Sequence, residues 1–197
     1  MIVLGYDSQE EKWFSEWLNE AKSGGMVDRY IYHPSELILS ETQKQKVVTE
    51  YYTKVRKEKR TRTSYKTILR DCKYTPDFIV YFTESFRDLF PKVLIEFGEN
   101  DVPENVSCYI DVKGSFAGRN NSSAITFPIK QKWVYDKYGI YVNKVVPERF
   151  FKRTWVPRNV RLTSRGKLSK KWELYPILNG KRPYDPTKVS GTGRCIA

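Results

Sequence analysis

The stretch Cys108-Tyr109-Ile110-Asp111-Val112-Lys113-Gly114 sets two opposite charges two positions apart inside an apolar run. Such a run reads as a β-strand that Gly114 breaks. Side chains alternate faces along a strand, so Asp111 and Lys113 point the same way while Val112 points into the core. Charges spaced like this usually mark a solvated face. Apolar neighbours make this pair an exception that needs a reason. Upstream, Pro76-Asp77-Phe78-Ile79-Val80-Tyr81-Phe82 is a second β-rich run, and it opens on a carboxylate. With the two strands adjacent, Asp77 and Asp111 converge on one hard cation. Mg²⁺ takes oxygen ligands in octahedral array and keeps several waters. An ammonium beside it can hold a phosphate oxygen or orient the attacking water, which is the chemistry of phosphodiester hydrolysis.

Upstream of these strands, Ser8-Gln9-Glu10-Glu11 opens a helix. Ser8 is a good N-cap, and Glu11 three residues on completes a capping box. Trp13, Phe14, Trp17, Leu18 and Ala21 recur at helical spacing until Gly24-Gly25 ends the pattern. On a helical wheel Glu10 lies nearer the centre of the apolar face than Glu11. Val27–Tyr32 and Glu36–Leu39 read as short extended segments. Residues 42–70 change character: Lys54, Arg56, Lys57, Lys59, Arg60, Arg62, Lys66 and Arg70 crowd together with Tyr51, Tyr52 and Tyr65 among them. We read a helix followed by a loop there, and a phosphate-backbone grip. Downstream of Gly114, 118–123 is a polar loop and Phe127–Tyr138 a helix carrying Lys130 and Lys132, two further candidates for holding a nucleic-acid backbone. Ile140–Val146 is a third strand. Beyond Phe151 the chain is rich in Lys, Arg, Pro and Gly yet holds Trp155, Trp172 and Tyr175. It reads as a basic extension packed partly on the core, with a loose end after about Pro186.

Composition narrows the chemistry. A hydrophobic content of 40 % with 14 Tyr, 10 Phe and 5 Trp suffices for a packed core. No apolar run approaches the roughly 20 residues of a membrane helix, and the start lacks the basic n-region of a signal peptide, so a soluble cytoplasmic protein is expected. Cys72, Cys108 and Cys195 lack disulfide or metal-ligand spacing and read as free thiols, two of them in the core. One histidine, His33, excludes multi-histidine zinc sites, and it reads as structural; no nucleophile elbow accompanies it. The formal charge of +12, from 35 Lys+Arg against 23 Asp+Glu, points to nucleic acid as partner.

The segments YDSQEE (6–11), YTPDF (74–78) and YIDVKG (109–114) together resemble the PD-(D/E)xK nuclease superfamily. Within it they are most similar to the phage endonuclease I type of Holliday junction resolvase, and the order of motifs is also that of the transposase subunit TnsA. The resemblance covers roughly residues 6–146. It implies an α/β fold with a restriction-endonuclease-like core, a mixed central sheet flanked by helices. That core would span 1–150, with insertions near 40–73 and 83–106, and a basic extension would follow over 151–197. It implies Mg²⁺, with Mn²⁺ able to substitute, held by Asp77, Asp111, the carbonyl of Val112 and Glu11. Lys113 is assigned to the attacking water or scissile phosphate. The implied activity is endonucleolytic cleavage of DNA, on branched substrates by analogy, by a homodimer. Alternatives are a TnsA-like or restriction-like nuclease on linear duplex, a DNA-binding module without activity, and an RNA-associated basic protein. The resemblance favours Glu11 over Glu10 as the helix carboxylate.

Overall fold

A computed structural model describes residues 5–83, 107–114 and 122–177. The first helix, α1 (Gln9–Ser23), starts where the sequence places it: Ser8 is extended at the N-cap and its Oγ accepts from the Glu11 N–H at 3.2 Å. The helix ends in a Schellman motif. The Met26 N–H donates to Ala21 and the Gly25 N–H to Lys22, at 2.9 and 3.0 Å, with Gly25 left-handed at φ 70°. Phe14, Trp17, Leu18 and Ala21 are fully buried, so the apolar spacing does form the packing face.

Strand β1 (Val27–Tyr32) follows, then β2 (Leu37–Ser40), β3 (Gln43–Tyr52), β4 (Lys59–Leu69), β5 (Cys72–Tyr74), β6 (Phe78–Phe82) and β7 (Ser107–Val112). Helix α2 (Ser122–Tyr138), strand β8 (Val142–Val145), and helices α3 (Pro147–Arg153) and α4 (Arg158–Arg161) complete the order, with a 3₁₀ turn at Lys170–Trp172. The fold is mixed α/β. Its main sheet runs β1-β6-β7-β8, antiparallel except for the parallel β7/β8 pair. Register sets Phe78 opposite Ile110 and Asp111 opposite Lys144. Strand β6 shows the period of two: Phe78, Val80 and Phe82 are buried, Ile79 and Tyr81 half-buried.

The chain forms two compact units. The first holds 1–35 and 76–197; the second, Glu36–Thr75, is inserted between them. Over 42–70 the structure corrects the reading of a helix and loop. Strands β3 and β4 pair antiparallel from Gln43↔Leu69 to Tyr52↔Lys59 as a long ribbon. Threonine, tyrosine and valine along both strands prefer that pleated geometry. The described part of the C-terminal segment belongs to the first unit. Trp155 and Trp172 are buried, and the Trp155 ring lies 4.8 Å from that of Trp17. Trp155 Nε1 also donates to Glu20 Oε2 at 3.0 Å, so Trp155 holds α1 at two positions three residues apart on one face. Cys108 is buried and Cys72 half-buried, both free thiols. Residues 84–106 and 115–121, Cys195 and the segment beyond Pro186 lie outside the described residues. Among those described, no helix is long and apolar enough to cross a membrane.

Candidate active site

Asp77 precedes β6 and Asp111 lies in the last turn of β7, so the antiparallel pair brings both to one end of the sheet. The main chain locks this: the Asp77 N–H donates to the Ile110 carbonyl at 3.0 Å, and the Val112 N–H donates to Asp77 Oδ2 at 2.6 Å. Lys113, one residue past the strand, is tethered by its N–H to the Val145 carbonyl at 2.8 Å. Its ammonium is ion-paired to Asp111 Oδ1, as two-residue spacing on one face requires, and lies 5.8 Å above the Phe127 ring of α2. Asp111 is 3 % exposed. A buried aspartate beside a second carboxylate is costly unless compensated. The consequence appears at Asp77, whose carboxyl is pushed up to about 7. Burial is the main cause and the negative charge of Asp111 the next; Lys113 and the Val112 N–H pull it down, and Glu11 adds a small upward push.

Two helix carboxylates approach the same end of the sheet differently. Glu11 is 6 % exposed; its Oε1 accepts from Ser8 Oγ at 2.7 Å and its Oε2 from the Tyr32 hydroxyl at 2.8 Å. The N-cap thus gives Glu11 a hydroxyl proton as well as accepting its N–H. Glu10, closer to the centre of the wheel, is only half-buried, but its carboxylate lies against Gly114: a Cβ there would stand 3.2 Å from Glu10 Oε1. The wheel reading is therefore corrected for burial, while Glu10 still reaches Gly114, the residue after Lys113. Among the described residues, the three donor atoms that lie within 4.8 Å of one another belong to Asp7, Glu11 and His33, not to Glu11, Asp77 and Asp111.

Sequence reasoning missed Asp7, Tyr32 and the placement of His33. His33 Nε2 stands 3.3 Å from Asp7 Oδ2 and 4.0 Å from Glu11 Oε2, while its N–H donates to the Asp77 carbonyl at 3.0 Å. The signal was its position one residue past β1, usable only once β1 is known to run back along α1, where Tyr30 meets Ser15 and Tyr32 meets Glu11. Lys130 is half-buried and Lys132 exposed on α2; Lys54, Arg56, Lys57, Lys59, Arg60 and Arg62 lie in the β3–β4 ribbon and its tip, apart from the carboxylates in the chain's division into units.

The carboxylates of Asp77, Asp111 and Glu11 are hard oxygen donors, which suit Mg²⁺ or Mn²⁺ better than a soft metal, while the Asp7–Glu11–His33 group adds an imidazole nitrogen. The raised Asp77 carboxyl gives a direct readout. In metal-free protein it holds its proton up to about pH 7 when folded, but only to about pH 4 when unfolded. Between those values the folded state binds the extra proton, so stability falls as pH rises through this window and then levels off. Melting in EDTA is expected to show this descent, and Asp77→Asn to remove it. An unchanged slope in the variant would assign the proton to another group. Comparison with family models, curated proteins and solved structures finds no match for this chain.

Proposed function

We propose that the protein is a metal-dependent endodeoxyribonuclease with a restriction-endonuclease-like core. The observation that carries this reading is the buried Asp111–Lys113 pair beside Asp77, with the two aspartates repelling each other at one sheet end. Burying a second carboxylate beside that pair costs stability beyond what the Val112 N–H bond returns, and a cation between the two aspartates would offset it. Asp77, Asp111 and the Val112 carbonyl would hold Mg²⁺, with Glu11 at the margin beside Asp7 and His33. When bound, the cation polarises the scissile phosphate and lowers the pKa of a coordinated water. The chain's own part is positional. The Val112 N–H fixes one Asp77 oxygen and leaves the other to face the cation. Lys113 pairs with Asp111 and would present its ammonium to a phosphate oxygen of the substrate. Tyr32 and Ser8 hold Glu11 in one rotamer.

The proposed substrate is DNA, a four-way junction by analogy with the resemblance, cut by a homodimer because two strands need two cuts. Cleavage with Mg²⁺ is to be measured on a junction, a linear duplex and a single strand. Preferential junction cutting supports the resolvase reading; linear duplex cutting supports the TnsA-like or restriction-like one. Binding without cutting of any of the three would reduce the protein to a DNA-binding module. Binding is also expected to fall by roughly 10³–10⁵ between 50 and 200 mM salt if 6–10 phosphates are contacted.

A further inference from the structure

The β3–β4 ribbon is unusual in its exposure. All of β4 and all of β3 except the half-buried Val47 are solvent-exposed. A bare two-stranded ribbon is marginal in water, so its solvated faces invite a partner. Residues 43–69 hold nine Lys/Arg against two Glu, a net +7 of the chain's +12. The tip repeats the theme: Val55 is 94 % exposed between Lys54 and Arg56, and Lys57 is held at φ 52° by its N–H bond to the Thr53 carbonyl.

The register divides these charges unequally. One face carries the pairs Gln45↔Lys66, Val47↔Ser64, Thr49↔Arg62 and Tyr51↔Arg60, so no carboxylate lies on it. Arg60 reaches Glu58 in the tip at 3.4 Å; Arg62 and Lys66 make no ion pair among the described residues. The opposite face carries Lys44, Lys46 and Lys59, and it also holds Glu50, which pairs with Lys59 at 2.8 Å, together with exposed Val48, Tyr52 and Tyr65. The first face is a row of donors, and alternate residues on it fall about 6.8 Å apart, twice the 3.4 Å rise per nucleotide of a DNA strand.

We infer that this ribbon lies in the major groove of B-form DNA with the Gln45/Arg60/Arg62/Lys66 face against the duplex. The groove is about 12 Å wide and admits a two-stranded ribbon, whereas the deep, narrow major groove of an RNA helix does not. Arginine and glutamine forks suit base edges there, and the lysine suits phosphate. The inference rests on DNA being the ligand, as proposed above, but not on the carboxylates cutting it.

The test compares two double variants that each remove two positive charges from opposite faces, Arg62→Gln/Lys66→Gln and Lys44→Gln/Lys46→Gln. Anisotropy of a fluorescein-labelled linear duplex is read in EDTA, with circular dichroism melting as the check on folding and light scattering for mass. The first variant is expected to bind at least about tenfold more weakly than wild type and the second within about threefold; wild type is expected to bind an RNA duplex of the same length about tenfold more weakly than the DNA. Equal losses from both faces would replace an oriented ribbon by diffuse charge. Wild-type binding by both, RNA bound as tightly as DNA, or a change in mass with binding intact (a second copy as the true partner) would each overturn the inference. Because binding is read without metal, a chain that binds as described but never cuts would sink only the nuclease reading.

Discussion

Asp111→Asn is expected to leave a folded protein that cuts DNA more slowly by a factor on the order of 10³ or more. The aspartate is 3 % exposed and ion-paired to Lys113. Asparagine fills the same volume but presents a neutral oxygen, so both the cation and the lysine lose their counter-charge. Asp77→Asn and Lys113→Ala should fall as far. Their stabilities should differ, and this makes the set informative. Asp77→Asn keeps an acceptor for the Val112 N–H and removes the repulsion with Asp111, so its melting temperature in EDTA above pH 7 should rise. Asp111→Asn and Lys113→Ala each break a largely buried pair and should lower it. A residue whose loss stabilises the fold and destroys turnover is held for function rather than for structure. Single-turnover cleavage with Mg²⁺ and a melt of each variant read both quantities. Near wild-type cutting by any two of the three would remove the site.

The second large effect is expected at Glu11. Glu11→Gln retains the side-chain length and can keep both contacts, accepting one hydroxyl at Oε1 and donating its amide N–H to the oxygen of the other, so a role confined to the N-terminus of α1 predicts a loss of only about 0.3–1 kcal/mol in helix-dipole stabilisation and an unchanged cleavage rate. The catalytic reading predicts a folded protein with cleavage reduced on the order of 10²-fold or more. Glu10→Gln is the control, since that carboxylate reaches Gly114 from the neighbouring position. Should Glu10→Gln be the one that fails to cut, the helix ligand is Glu10 and its approach through Gly114 is the route. If both cut normally, the helix contributes no ligand.

How far the fold could be read depended on burial. Helix α1 was legible because one face is fully buried and both ends are capped by residues with a fixed stereochemical task, Ser8 and Gly25. Strands β6 and β7 were legible because their apolar positions alternate against a core. The ribbon was not, because a strand solvated on both faces has no hydrophobic period to detect; its threonines and tyrosines carried the β signal, and the lysines and arginines between them obscured it. The Asp111–Lys113 pair followed from strand geometry alone. The Asp7–Glu11–His33 group did not, because it depends on β1 running back along α1 so that the residue after the strand meets the helix N-terminus, a packing that no local pattern encodes. Likewise Trp155 and Trp172 sit deep in the core while their surroundings in sequence are basic.

The chain leaves the first unit after Ser35 and rejoins it at Pro76, and within that unit the His33 backbone N–H donates to the Asp77 carbonyl at 3.0 Å, continuing the pairing of Tyr32 with Phe78. In sequence, Glu36–Thr75 is an insertion closed at both ends by the first unit. Loop-closure entropy grows only with the logarithm of length, about 0.6 kcal/mol for each doubling. Lengthening, trimming or exchanging the inserted segment therefore costs the β1/β6 pairing little, and Asp77, the residue before β6, stays where it is. On the nuclease reading proposed above, a change in the insertion would alter what is held and leave the cleaving residues untouched, because the two lie in separate stretches of the sequence.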